Sequence, residues 1–345
     1  MIRWIRWALA AALTLAAVTL GAAPRDGLDV RLAAAAPVLR GDVDVFVTLT
    51  VTNTSRHPVN LLKWQLPSDE VEGALFKISR DGEAVRYTGP LVKRMAPQAG
   101  DHVRLDPGAT LSYQVELTAA YDLSRSGRYA IEYSSRGAHG ANASALRSDT
   151  LYLWLEGRSG KRAVEPPVVA GAGGITYTGN CSATQQTDLV SAVAQASTYS
   201  NTAVSYLMTQ SPSATARYTT WFGAYSTSGW ATATSNFNAI KGAFDSQPLV
   251  LDCKCKKRTV YAYVYPNQPY KIYLCGAFWN APLAGTDSRG GTLIHEMSHF
   301  TVVADTDDWA YGQTAAMALA VSNPTRALAN ADSYEYFAEN TPSLP

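Results

Sequence analysis

The ten residues from Gly291 to Phe300 read Gly-Thr-Leu-Ile-His-Glu-Met-Ser-His-Phe, and their apolar members suit a buried helix. In a helix, side chains four positions apart share a face, so His295 and His299 can meet one Zn²⁺. Glu296, beside the first histidine, is placed to take a proton from a metal-bound water. The stretch therefore predicts a helix that carries a zinc site for metal-assisted hydrolysis.

The spacing and chemistry of the residues do not identify the third zinc ligand. His295 and His299 are the only histidines after residue 174, so a carboxylate must complete the site. The candidates lie just after the helix or in a later helical segment: Asp305, Asp307, Asp308, Asp332, Glu335 and Glu339.

The length and the charge of the chain limit the class of protein to which this helix can belong. The chain has 345 residues, which favours two folded units. Charged residues make up 17% of the chain, against roughly 25% in ordinary globular domains, so it is not a charge-patterned disordered protein. A net charge of +1 gives no field that would gather nucleic acid or anionic lipid, and both partner classes are excluded.

The N-terminus has the layout of a signal peptide. Arg3 and Arg6 precede an apolar run from Trp7 to Leu20 and small residues up to Ala23. This run is shorter than the roughly 20 apolar residues that span a bilayer, which argues against the alternative of a membrane anchor. We expect residues 1–23 to direct secretion, with no membrane attachment after cleavage.

The four cysteines agree with export. Their number is even, and exported proteins use cysteines mainly in disulfides: Cys181, Cys253, Cys255 and Cys275. Cys253 and Cys255 point to the same side of an extended chain, so each is expected to pair with a distant cysteine. The alternative is a four-thiolate zinc site, but such sites usually space paired cysteines by two to four residues.

Residues 24–156 carry the pattern of an all-β sandwich. Apolar side chains alternate from Val43 to Val51, and Asp81-Gly82 is a hairpin signal between two further short runs. Other strand-like runs are Leu111–Leu117, Tyr129–Tyr133 and Leu151–Leu155. We interpret this region as a pro-domain that inhibits the enzyme intramolecularly, the alternative being a retained adhesion or carbohydrate-binding module.

Residues 157–175 have the composition of an exposed linker, and residues 176–345 that of a mainly helical domain. The linker contains Lys161-Arg162 and a run of small residues that ends at Gly174. A dibasic pair in such a linker is either a processing site or only solvated charge. If the enzyme cuts before lysine, Gly160-Lys161 is a substrate for its own active site.

The second domain resembles the deuterolysin-type aspzincins, and most of all the peptidyl-Lys metalloendopeptidases. The resemblance is carried by Gly285–Gly312, which reads GTDSRGGTLIHEMSHFTVVADTDDWAYG. It extends over nearly the whole domain through four further segments: Arg217–Gly223, Ala262–Asn267, Tyr273–Trp279 and Asn330–Asp332. The fold it implies is a mainly α (α+β) zincin-like domain.

The resemblance also implies roles for particular residues. Asp308 becomes the third zinc ligand, and Tyr311 donates its phenol to the oxyanion. Asp305 stands where the family has a glycine, so the backbone turn is expected to differ there. Asp332 and Glu335 match positions of the pocket that receives lysine on the carboxyl side of the cut bond. The implied disulfides are Cys181–Cys253 and Cys255–Cys275.

The sequence therefore predicts a secreted zinc endopeptidase, made as a zymogen, that hydrolyses Xaa-Lys bonds in proteins and peptides. Two alternatives remain at this point. The first is a broad-specificity aspzincin in which Asp332 and Glu335 form no lysine pocket. The second is a secreted binding protein without catalytic activity, which the pairing of Glu296 with Tyr311 argues against.

Overall fold

The computed structural model describes residues 27–67, 71–135, 146–160, 174–212 and 215–345. Its N-terminal region is built from strands, as the alternating sequence pattern predicts. The strands are β1 (Leu28–Ala33), β2 (Val38–Arg40), β3 (Phe46–Asn53), β4 (Val59–Leu62), β5 (Phe76–Arg80), β6 (Glu83–Val85), β7 (Leu91–Arg94), β8 (His102–Leu105), β9 (Thr110–Glu116), β10 (Gly127–Tyr133) and β11 (Leu151–Glu156). Short 3₁₀ turns cover Lys63–Gln65 and Ala99–Asp101.

Two sheets and a strand pair make up most of this region. One sheet has the order β1-β3-β9, the other β2-β11-β10-β5-β6, and β4 pairs with β8. The inward side chains of both sheets form one hydrophobic cluster, with Leu49, Tyr129 and Ile131 fully buried in it. Alternation along β3 puts Val47, Leu49 and Val51 in this cluster, because side chains two apart share a face.

The C-terminal region is mainly helical. Its helices are α1 (Ala183–Thr209), α2 (Ala216–Phe222), α3 (Thr227–Ser246), α4 (Gly276–Asn280), α5 (Arg289–His299), α6 (Gln313–Ser322), α7 (Pro324–Ala327) and α8 (Ala331–Glu339). Its strands are β12 (Ile175–Thr178), β13 (Leu249–Asp252), β14 (Val260–Val264) and β15 (Lys271–Leu274). Ile175, which composition assigns to the linker, is thus the first residue of β12.

The central helix α5 is buried over nearly its whole length between α1 and α8. Two glycines at its start permit this close packing. A Cβ on Gly290 would lie 2.6 Å from Gln195 Cγ of α1, and one on Gly291 would lie 2.0 Å from Glu339 Oε1 of α8. Any larger residue would push these helices apart and shift the histidines that follow.

The two regions share a sheet, which the sequence does not predict. Its order is β12-β13-β15-β14-β7, so a strand of the N-terminal region forms its edge. β7 runs antiparallel to β14, with Ala262 opposite Lys93 and Tyr263 opposite Val92. The N-terminal region is therefore joined to the C-terminal region by main-chain hydrogen bonds.

The fold tests several of the predictions made from the sequence, whereas others concern residues that the structure does not describe. Both disulfides form as expected, Cys181–Cys253 and Cys255–Cys275, so the four-thiolate zinc site is wrong. Within the described ranges, no helix has both the length and the apolar character to cross a bilayer. The expected signal peptide, residues 1–23, and the dibasic Lys161-Arg162 lie outside the described residues.

Candidate active site

The helix α5 is held at its N-terminus by groups from its own cap and from α8. Ser288 is the N-cap, and its hydroxyl oxygen accepts a hydrogen bond from Gly291 N. The Glu339 carboxyl accepts from Ser288 N at 2.8 Å, from Ser288 Oγ at 2.7 Å and from Asp287 N at 3.2 Å. These bonds fix the start of the helix, and therefore the positions of His295 and His299 along it.

His295, His299 and Asp308 converge as the sequence analysis expects. His295 Nε2 lies 3.1 Å from His299 Nε2, and Asp308 Oδ1 lies 3.2 Å and 3.4 Å from these two nitrogens. All three side chains are buried. We call them the metal trio.

The donor atoms of the metal trio fit a zinc ion. Tetrahedral ligands at Zn–N and Zn–O distances of about 2.0–2.1 Å are about 3.3 Å from one another, close to the three separations observed. Two imidazole nitrogens and one carboxylate oxygen are also a donor set that zinc prefers. Asp308 Oδ1 is buried and has no hydrogen-bond donor, which suits a metal ligand.

The outer nitrogens of both histidines have partners that orient the rings. Thr306 O lies 2.9 Å from His299 Nδ1, and Asp332 Oδ1 lies 2.8 Å from His295 Nδ1. With a proton on each Nδ1, both Nε2 atoms are free to bind metal. Such partners hold ligand histidines in one tautomer and orientation.

The loop after α5 brings Asp308 to the histidines. Asn330 Oδ1 accepts hydrogen bonds from Trp309 N and Ala310 N, both at 2.9 Å, and so anchors the loop to the start of α8. Asp305 has a φ of 52°, the left-handed conformation that glycine favours and aspartate tolerates. The expectation that the turn differs at Asp305 is therefore not met, because the residue keeps a glycine-like backbone.

Glu296 and Tyr311 flank the metal trio, and their pKa values suit different tasks. Burial raises the pKa of Glu296 to about 7, despite the neighbouring imidazoles, which lower it. A carboxyl group with this pKa can take up and release a proton near neutral pH. Burial and the nearby Asp308 carboxylate raise the pKa of Tyr311, so its phenol stays protonated and can donate.

Asp332 and Glu335 lie on the far side of His295 and form an acidic pocket together with a third carboxylate, Asp287. Both α8 residues are fully buried, and Asp332 also accepts from Gly312 N at 2.6 Å. Asp287 lies at the pocket's edge, 35% exposed, and accepts a hydrogen bond from Tyr336 OH at 2.7 Å. Three carboxylates in so small a space require a cation.

Lys93 of β7 supplies that cation. Its Nζ lies 2.5 Å from Glu335 Oε2, 3.3 Å from Asp332 Oδ1 and 3.6 Å from Asp287 Oδ1. The side chain is completely buried, and the rings of Tyr261 and Tyr336 lie 5.2 Å and 5.7 Å from Nζ. Burial lowers the pKa of Lys93, but the three carboxylates raise it well above its usual value, so the lysine is charged.

The backbone beside Lys93 contacts the metal trio. Tyr311 OH donates a hydrogen bond to Val92 O at 2.8 Å, and Val92 N donates to Asp308 Oδ2 at 3.2 Å. The peptide group between Val92 and Lys93 therefore lies beside the predicted oxyanion donor, while the following side chain fills the acidic pocket.

Sequence reasoning named the residues that meet in the metal trio and two residues of the acidic pocket, but missed Lys93 and Asp287. The N-terminal region before residue 176 has four lysines, Lys63, Lys77, Lys93 and Lys161, and nothing local distinguishes the third. Asp287 has a φ of 51° and reaches the pocket only because of that turn. A lysine inside a short strand-like run, Leu-Val-Lys-Arg, is the one signal that could have directed attention to β7.

Comparison with known proteins gives consistent matches. The sequence profile of the lysine-specific metallo-endopeptidases, the aspzincins, matches residues 207–339. An extracellular protease from Aeromonas hydrophila is 45% identical and aligns over 96% of this chain and 97% of its own length. A peptidyl-Lys metalloendopeptidase from Armillaria mellea is 40% identical over 96% of each chain. Another of that name, from Pleurotus ostreatus, is 55% identical over 49% of this chain and 99% of itself.

Proposed function

The chain belongs to the aspzincin family of lysine-specific metallo-endopeptidases and is a zinc-dependent peptide hydrolase, and from this premise we propose that it is a secreted zymogen. Its C-terminal region, once released, cuts peptide bonds on the amino side of lysine. Family membership sets aside the alternative of a secreted binding protein without catalytic activity.

Lysine specificity is supported above all by Lys93 in the acidic pocket. The pocket holds a lysine side chain with its ammonium against Asp332 and Glu335, and the peptide bond before that lysine lies beside Tyr311. A substrate lysine bound in the same way would place the Xaa-Lys bond at the metal trio. A broad-specificity enzyme has no need of three carboxylates there, because uncompensated buried charge is costly.

The catalytic roles follow from the geometry of the metal trio. His295, His299 and Asp308 hold the zinc ion, which when bound supplies a Lewis acid that lowers the pKa of water and polarises a carbonyl. Glu296 accepts the proton of the attacking water and returns it to the leaving amine. Tyr311 donates its hydroxyl hydrogen to the oxygen of the scissile carbonyl as negative charge develops there.

The N-terminal region acts as the pro-domain. β7 occupies the edge of β14 and Lys93 fills the pocket, so no other peptide can bind in the same place. The Pleurotus ostreatus relative aligns over 99% of its length with only 49% of this chain, and the family profile matches residues 207–339; together these support a C-terminal region that is active by itself. A retained adhesion or carbohydrate-binding module would not need to enter the cleft.

Secretion is supported by two observations. Residues 1–23 have the layout of a signal peptide, and the Aeromonas hydrophila relative is named an extracellular protease. Two disulfides in the C-terminal region fit an oxidising compartment.

A digestion experiment tests the proposal. The secreted, processed protein is incubated with a denatured protein of known sequence, with and without a chelator, and every new N-terminus is mapped by mass spectrometry. We expect chelator-sensitive fragments that begin with lysine. Chelator-sensitive cuts without a preference for lysine would contradict the specificity, and full activity of the unprocessed chain would contradict the zymogen.

A further inference from the structure

The strand β7 binds in the cleft as an extended substrate does. It is antiparallel to the edge strand β14, with Val264 opposite Leu91 and Ala262 opposite Lys93. Peptides commonly bind enzymes and adaptor domains by adding a strand to a sheet edge, with alternate side chains entering pockets. Here the side chain that enters the pocket is Lys93.

The contacts of β7 present one particular peptide bond to the catalytic groups. On the amino side, Val92 N donates to Asp308 Oδ2, and the Val92 carbonyl accepts from Tyr311 OH. On the carboxyl side, the Lys93 ammonium is held by Asp332 and Glu335. The Val92–Lys93 bond is thus held between the oxyanion donor and the lysine pocket. A segment that merely covered the cleft would not need this alignment.

A cut in the linker would leave all of these contacts intact. Lys93 is completely buried and Val92 is 4% exposed, and neither depends on the linker. Two further ion pairs, Arg86–Asp305 and Lys257–Glu72, also hold the N-terminal region on the C-terminal region. After a cut at Lys161 alone, the cleft would still be filled by β7.

We propose that the zymogen hydrolyses its own Val92–Lys93 bond, and that this second cut clears the cleft. The inference rests on the proposed function. Water contributes its hydroxyl to the carbonyl carbon of Val92, the C–N bond breaks, and a proton passes through Glu296 to the Lys93 nitrogen. The products are a carboxylate on Val92 and an ammonium group on the Lys93 nitrogen, which also takes up the proton that the new carboxyl group loses.

The cut divides β7 into two short segments. Leu91 and Val92 lie on one side of it, and Lys93 and Arg94 on the other. Each half keeps only part of the pairing with β14, and the two ends are free to separate. The pocket and the metal trio are then no longer bridged by one continuous strand.

The reaction takes place within one molecule. Because Lys93 is completely buried in its own pocket, a second enzyme molecule has no access to the bond. The strand is part of the same chain, so its effective concentration at the site is high and independent of dilution.

Restoring zinc to the metal-free zymogen tests the proposal. The full chain is purified with a chelator, zinc is added, and N-termini are mapped by mass spectrometry over time. We expect a fragment that begins at Lys93, formed at a first-order rate that does not change over a tenfold dilution. The Glu296→Gln zymogen should not form it, even when processed enzyme is added.

A pair of lysine variants provides the matched control. Lys93→Met should abolish the new N-terminus at position 93. Lys77→Met, which replaces an exposed lysine of β5, should form the Lys93 fragment at the wild-type rate.

The outcomes separate this inference from the proposed function. If processed enzyme cuts test proteins before lysine but no Lys93 N-terminus appears during activation, the inference is wrong and the proposed function stands. A rate that rises with zymogen concentration, or cleavage of the Glu296→Gln zymogen by added enzyme, would disprove the intramolecular route. If the zinc-loaded protein cuts no substrate at all, both fail.

Discussion

The metal trio and the acidic pocket share His295 but differ in how their charge is balanced. The trio is complete within the C-terminal region, where two imidazoles face the single carboxylate of Asp308. The pocket brings three carboxylates together and obtains its cation, Lys93, from the N-terminal region. This difference fits the proposal that the first site holds a resident ion and that the second exchanges one lysine for another.

The Glu296→Gln variant, produced directly as the C-terminal region from residue 174 so that no processing is needed, tests the trio with the largest expected effect. Turnover should fall by about 10²–10⁴-fold, because an amide cannot take a proton from water. Zinc content, measured by atomic emission, should stay at one ion per chain, since Glu296 is not a ligand. Asp308→Ala is the contrasting variant and should lose zinc as well. Normal turnover in Glu296→Gln would contradict the assigned role.

Replacing the pocket's cation should destabilise the zymogen more than any exposed substitution. Lys93→Met leaves the buried carboxylates of Asp332 and Glu335 without their ammonium partner, and breaking such an ion pair typically costs about 3–5 kcal/mol. The free energy of unfolding should be measured by urea denaturation in a Glu296→Gln background, so that no cleavage intervenes. Lys77→Met, an exposed change, should stay within about 0.5 kcal/mol of the parent. Equal effects of the two variants would show that the pocket does not depend on Lys93.

A substitution of Asp287 tests how much the carboxylate at the edge of the acidic pocket contributes to lysine binding. Its carboxylate is farther from the ammonium than those of Asp332 and Glu335, and it is partly exposed. Asp287→Asn should therefore lower kcat/KM for a lysine substrate only about five-fold, as expected when about 1 kcal/mol of interaction is lost. Tyr336→Phe, which removes the hydroxyl that holds Asp287, should produce part of the same loss. A hundred-fold loss would mean that Asp287 also supports the fold.

A pH dependence of stability is expected at Glu339, which supports both sites through the start of α5. Burial, assisted by the nearby Glu335 carboxyl, raises the pKa of Glu339 to about 9. A carboxyl whose pKa is raised by folding stabilises the protein fully below its unfolded pKa of 4.5, and the contribution is lost as the pH rises toward 9. The free energy of unfolding should therefore fall more steeply between pH 5 and 9 in the wild type than in Glu339→Gln. Parallel pH profiles would contradict the raised pKa.

The sequence was sufficient for the local features of both sites. The spacing of His295 and His299 predicts their shared helical face, and the alternation along β3 predicts the β-rich N-terminal region, because both depend only on backbone periodicity. Asp308 and Tyr311 required the family resemblance, since six candidate carboxylates were compatible with the physics. Their position depends on Asn330, which anchors the loop from a distant helix.

The contacts between the two regions could not be predicted. β7 pairs with β14 across more than 160 residues of intervening sequence, and strand propensity does not identify a partner strand. Nothing in the local sequence distinguishes Lys93 from the other three lysines before residue 176; only its burial in the acidic pocket does. Asp287 reaches the pocket through a left-handed turn at an aspartate, a conformation that its neighbours in sequence do not specify.

Discrimination between lysine and an uncharged side chain of similar length is the most direct test that the acidic pocket is a lysine subsite. The kcat/KM of the processed enzyme is measured for two peptides that differ only in lysine or methionine after the scissile bond, in the wild type and in Glu335→Gln. We predict a strong preference for lysine in the wild type and, in Glu335→Gln, a loss of at least about 30-fold for the lysine peptide, as expected when a buried charge pair is broken. The methionine peptide should be cut at nearly the same rate by both enzymes. Equal rates for the two peptides in the wild type would contradict the account.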